Sequence, residues 1–295
     1  MKHKFSITLI ILGMFLITQT FGLFLISRGD LPEFIRGEGE QKNITGFFNI
    51  LIAFIISLTF FFFLIQYKWK FFIKIWFGLI IFISLTVTFY AFLIIFFKES
   101  DIVLFYSLLL SIIFTFLKIL RPSVVIHNIT EIFIYSGVSL IFVHYLTPFY
   151  AVLFLILISF YDMWAVWHTG IMQKMAKFQM EEVKIFNGFL IPYLTKEIRN
   201  KIKQSKKRGH KKIKIKVPLA ILGGGDIAFT LIPAGVFLLS YGVLPAVFVV
   251  LGGFLGLCFI MFFSEKKKAY PAMPFITSGI FLMLFVYFFI LRLFL

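Results

Sequence analysis

The chain has 295 residues, 61% of them hydrophobic and only 14% charged. Its mean hydropathy of +1.01 lies far above what the surface and core of a water-soluble protein average to. Charge is lopsided, 29 Lys and Arg against 13 Asp and Glu, but the basic residues cluster between apolar runs. That clustering argues against a nucleic-acid surface and for loops obeying the positive-inside bias, while the single cysteine, Cys258, excludes an intrachain disulfide and a thiolate metal cluster.

A hydrocarbon core about 30 Å thick requires roughly 20 apolar helical residues, and this ruler divides the chain into nine spans. They are predicted near Phe5–Ile26, Gly46–Ile65, Ile73–Phe97, Ile102–Leu120, Val124–Leu146, Phe149–Thr169, Val217–Tyr241, Val243–Phe263 and Pro271–Phe294. The first resembles a signal peptide, but its length and the lack of a small-residue cleavage pattern favour a retained span. The 44 Phe residues read as lipid-facing bulk. With the N-terminus cytoplasmic, that side collects about 24 of the 29 basic residues, including Lys118 and the run from Lys174 to Lys216. The predicted fold is therefore an all-α integral membrane protein, N-terminus cytoplasmic and C-terminus outside.

The parts expected within one membrane domain are a six-helix part (1–169), a cytoplasmic basic loop (170–216) and a three-helix part (217–295). Early in the loop, Met172, Met175, Phe178, Met180, Val183 and Phe186 suggest an amphipathic helix on the membrane surface. Its tail, Lys211 to Val217, alternates with period two, which is a strand pattern or a polybasic tether attracted to anionic lipid.

A carboxylate at membrane depth costs at least about 2.5–3.5 kcal/mol on insertion scales, so each acid well inside a span needs a reason. There are three: Glu131, Asp162 and Asp226. By residue count from the span ends, Asp162 and Asp226 come to nearly the same level in the cytoplasmic half, on consecutive antiparallel helices. Two carboxylates sharing a site tend to hold one proton between them, which suits aspartic-protease chemistry but also an ion-coupled transporter. Gly223-Gly224-Gly225 before Asp226 would let the helix loosen or a backbone approach. Pro271-Ala272-Met273-Pro274 forbids a regular helical ladder at the start of the last span, implying a cleft near the aspartates. Glu131 and His127, four residues apart, read as a local polar pair. His144, His168, Trp164 and Trp167 fall at span ends, where interfacial placement explains them. No His-Glu-x-x-His and no Gly-x-Ser-Gly occurs, so neither a zinc nor a rhomboid-type serine protease is indicated, and no metal or cofactor is expected.

Tyr161-Asp162 in the sixth span, Gly223-Gly224-Gly225-Asp226 in the seventh and Pro271-Ala272-Met273 opening the ninth together resemble the YD, GxGD and PAL signatures of the presenilin and signal peptide peptidase superfamily. Met273 stands where that family usually has Leu, a close volume match. The compact length is similar to the small microbial members, which work without accessory subunits. The resemblance implies an intramembrane aspartyl protease with Asp162 and Asp226 as the catalytic pair. Tyr161, the three glycines, Pro271, Ala272 and Met273 would contact substrate, joined by Ile213 and Ile215 if the tail pairs with an unwound substrate strand. The implied substrates are single-span membrane proteins or signal peptides within a lipid bilayer, and the implied location is the cell membrane. An ion- or proton-coupled transporter using the same carboxylates is the alternative, and a non-catalytic membrane binding protein a third reading.

Overall fold

The structure is a computed structural model that describes residues 5–28, 31, 44–67, 69–97, 100–120, 123–169, 178–179, 186–193, 218–264 and 270–294. Among these residues, nine helices are long and apolar enough to cross a membrane. They are α1 (Phe5–Arg28), α2 (Ile44–Gln66), α3 (Lys70–Ile94), α4 (Asp101–Leu120), α5 (Val124–Val143), α6 (Pro148–Trp164), α7 (Gly224–Tyr241), α8 (Val243–Phe263) and α9 (Met273–Phe294). Eight of them match the predicted spans to within a few residues.

The seventh does not. Its predicted start, Val217, lies seven residues too early, because the apolar run leading into α7 is a strand. Leu219–Gly223 forms β2, paired antiparallel with β1 (Gly188–Pro192) in the register Leu190 to Ile221. A short continuous apolar run cannot be assigned to helix or strand by periodicity, and here it continues without a break into the helix that follows. The strand pattern read at Lys211–Val217, with Ile213 and Ile215, lies outside the described residues, as does most of the predicted amphipathic helix.

Helix α7 is the most enclosed of the nine spans and packs on α1, α5, α6 and α8. Around it the core runs through Leu140, Val143, Leu155, Ile232, Val249 and Ile276. Phenylalanines cover the outside, with Phe71, Phe149, Phe263 and Phe285 each at least 70% exposed, as expected of side chains whose solvent is lipid. Trp164 and Trp167 are exposed as well.

The most extensive contact in the molecule joins α8 to α9. Lipid is as apolar as the side chains, so membrane helices associate through close packing and interhelical hydrogen bonds, and small residues make the approach. A methyl group on Gly279 would meet the Gly252 carbonyl oxygen at 2.2 Å, and one on Gly256 the Phe275 oxygen at 2.4 Å. The two backbones are therefore in contact along a glycine seam. On the other side, α3 meets α5 through a hydrogen bond that Thr88 Oγ1 donates to the Phe133 carbonyl (2.6 Å).

Candidate active site

Asp162 lies near the end of α6, where the α-helix gives way to a single π-helical turn, Ala165–Thr169. Such turns are uncommon and concentrate at functional positions. The carboxyl is 5% exposed and faces the start of α9, where its Oδ2 accepts a hydrogen bond from the Met273 amide at 3.0 Å. The backbone of Ala272 acts on the same carboxyl. Pro271 and Ala272 stand outside the helix, Met273 opens it and Pro274 follows within the first turn, where a missing N–H costs nothing. The amides left free at that helix start are a natural seat for a carboxylate. The irregular backbone expected at Pro271–Pro274 is thus real, and one of its unpaired donors is satisfied by the aspartate itself. One turn away, Ser159 and Thr277 share a hydrogen bond of 2.7 Å between their hydroxyls, which ties α6 to α9 a second time.

Asp226 is the third residue of α7 and partly exposed. Its depth is set by the strand pair that delivers it, in place of the nine residues of helix counted from the sequence. Asp162 lies within electrostatic reach of it. The glycines serve the strand-to-helix junction and do not loosen a helix. Gly223 is the N-cap of α7, and Asp226 Oδ2 folds back over it, 3.3 Å from where a side chain at 223 would begin. Gly224 is required by space, since a methyl there would stand 2.4 Å from the Tyr135 hydroxyl. Gly225 is exposed. Tyr161, beside Asp162, is half-buried and meets the edge of Phe54 from α2.

Among the described residues, the sheet beside Asp226 is held on one side only. Asn128 of α5 donates from Nδ2 to the Leu190 carbonyl (2.8 Å) and accepts from the Leu190 amide through Oδ1 (3.0 Å). His127 Nε2 lies 2.8 Å from the Gly188 carbonyl. Leu190 therefore turns both backbone groups away from β2, which makes Leu190 and Ile221 a non-hydrogen-bonded pair of the ladder. By the same alternation Ile221 turns its own N–H and C=O outward on the far side of β2, where no described residue bonds them. Asn128 and the sheet role of His127 escaped the sequence reading, as did Gln19. The last is buried in α1, with its Nε2 donating to the Ile227 carbonyl at 3.0 Å. An amide in the middle of an apolar span was the available signal for Gln19. Lys118, counted as a loop residue, is instead buried and ion-paired with Glu131, so Glu131 is more than a partner for His127.

The model of the family described as signal-peptide peptidase, presenilin aspartyl protease matches residues 12–293. The chain belongs to that family. Two solved structures of a presenilin family intramembrane aspartate protease share its fold. One, in space group C222, is 18% identical with a TM-score of 0.61 over 94% of each chain. The other, in space group P2, is 20% identical with a TM-score of 0.63 over 94% of this chain and 95% of that one. No curated protein matches. As a presenilin-family protein the chain is a multi-pass membrane hydrolase, an intramembrane aspartyl protease whose substrates are transmembrane segments in a lipid bilayer. The transporter and the non-catalytic binder give way to that membership.

Proposed function

We propose that Asp162 and Asp226 are the catalytic dyad and that they hydrolyse peptide bonds within single-span membrane proteins or signal peptides. The observation that carries this reading is that two carboxyls lie within electrostatic reach of each other, one from α6 seated on the Met273 amide of α9 and the other from the first turn of α7. One aspartate, ionised, takes a proton from water as the oxygen attacks the scissile carbonyl carbon. The other, protonated, donates to the carbonyl oxygen. Collapse of the tetrahedral intermediate breaks the C–N bond, the amine leaves with a proton, and a carboxylic acid and an amine result. The Met273 amide orients Asp162 throughout, and no metal or cofactor enters the cycle.

A helical substrate hides its scissile amide in hydrogen bonds, so it must unwind, and the freed groups need partners where water is scarce. The outward N–H and C=O of Ile221 supply them by strand addition, because β1 is closed off by Asn128 and His127. Tyr161, Gly223, Gly225, Pro271 and Ala272 would line the path to the dyad, and Ile213 and Ile215 would extend the edge. The distribution of basic residues supports a cytoplasmic N-terminus, loop 170–216 and site; the chain would sit in the cell membrane, with 1–169 and 217–295 as the two helical parts of one domain. The chain would act without an accessory subunit. Purified protein incubated with a labelled single-span substrate tests the reading. Cleavage by the wild type and none by either Asp162→Asn or Asp226→Asn is the expected result, and cleavage surviving in both variants refutes it.

A further inference from the structure

The polar residues buried between α4 and α5 have no part in the dyad. Lys118, near the end of α4, is ion-paired with Glu131, which is 0% exposed. One turn before Glu131, His127 brings Nε2 to 3.6 Å from Glu131 Oε1 while bonding the Gly188 carbonyl of β1. One turn after it stands Tyr135. The Tyr135 ring meets Phe189 of β1 edge-on, with centroids 6.1 Å apart and planes at 84°. Its hydroxyl lies against Gly224, and the carboxyls of Glu131 and Asp226 both act on it.

Two polar atoms buried in this cluster are left for each other: neither Glu131 Oε2 nor the Tyr135 hydroxyl has another hydrogen-bond partner among the described residues, and Glu131 acts on the phenol as its hydrogen-bond acceptor. A buried carboxylate and a buried phenol that depend on each other are costly to maintain, and packing alone would be served as well by Phe and Leu. Tyr135 touches both the strand β1 and the junction that carries Asp226. The charged and titratable groups facing it are Glu131 and Asp226, with Lys118 and His127 behind Glu131.

We propose that Tyr135 is a positioning residue for Asp226: through its hydroxyl, the Lys118–Glu131 pair bears on the Gly224–Asp226 turn and holds it against β1. This rests on the reading of Asp226 as catalytic. The arrangement links three elements in one line. Movement of β1 reaches Glu131 through His127, and movement of Glu131 reaches the catalytic turn through Tyr135.

The test uses the full chain in detergent micelles and the variant Tyr135→Phe, which keeps the ring on Phe189 and deletes only the hydroxyl. Backbone hydrogen exchange over Leu219–Ile227 should quicken by about tenfold while exchange in α8 and α9 stays as in the wild type. With a labelled single-span substrate, kcat should fall about five- to tenfold, the rate equivalent of one hydrogen bond, with KM unchanged. In the background Lys118→Met/Glu131→Leu, which removes the buried pair and its acceptor as a unit, Tyr135→Phe should cost no further kcat. Unaltered exchange over Leu219–Ile227 overturns the proposal, and so does a loss of the same size in both backgrounds. Exchange is read without substrate, so a wild type that cleaves nothing would sink the proposed function while the role of Tyr135 is still decided.

Discussion

Ile221→Pro separates a substrate-binding edge from a merely structural sheet. Proline removes the backbone donor at one position and fixes φ near −65°, and within sheets it is accommodated where the N–H faces outward. At Ile221 the lost donor is the outward one, whereas the bonds between β1 and β2 run through the flanking pairs of Phe189 with Leu222 and Ile191 with Ala220. The sheet keeps its ladder. What is lost is one hydrogen bond to an added strand, net about 0.5–1.5 kcal/mol, and the ring also occupies space along the edge where that strand must approach. A drop of about tenfold in kcat/KM follows, equivalent to about 1.4 kcal/mol. The assay is cleavage of a labelled single-span substrate by Ile221→Pro, with Ile221→Val as the control that keeps the donor. A melting curve for each variant should stay close to that of the wild type. Leu222→Pro, which breaks the ladder itself, should lose both stability and cleavage. If Ile221→Pro cleaves as well as Ile221→Val, no strand is added at this edge and the reasoning fails.

A dyad that needs one acid and one base should lose activity above the pH at which the shared proton departs and below the pH at which both carboxyls are protonated, so a rate flat from about pH 4 to 9 would argue against it. Gly224→Ala drives a methyl into the Tyr135 hydroxyl and ring, at 2.4 and 2.9 Å, and should lower stability by about 1–3 kcal/mol, read by thermal unfolding, with cleavage falling in parallel. Asn128→Ala strands the amide and carbonyl of Leu190, and should cost about 1–3 kcal/mol and speed hydrogen exchange across Gly188–Pro192.

The nine spans were legible because a bilayer imposes one length on every helix, and the two aspartates stood out because an unexplained carboxylate in hydrocarbon is costly. The junction at Gly223–Asp226 was misread for a local reason. Leu219 to Leu222 is apolar, abuts an apolar helix, and has its strand partner some thirty residues earlier in Gly188–Pro192, a pairing that no local period reveals. Three glycines in sequence pointed to a loosened helix, whereas only the position of Tyr135 shows why Gly224 bears no side chain. Lys118 looked like a loop cation because it lies three residues from Arg121. Its burial depends on Glu131, which sits across a turn and one helix over. Asn128 could not be singled out, since an amide at the mouth of a span is ordinary until a strand edge is seen beside it.

The glycine seam between α8 and α9 has a consequence for where the enzyme is vulnerable. With backbone pressed on backbone, neither helix can slide or rotate without the other, so α9 inherits its placement from α8. The Met273 amide reaches Asp162 from one end of this fused pair, and the Ser159–Thr277 bond fixes the same relation one turn along. The orientation of the Asp162 carboxyl is therefore decided along a lipid-facing hairpin, by the absence of side chains at Gly252, Gly256 and Gly279. In such a design the spacing of two neighbouring backbones acts as the gauge to which the active site is built.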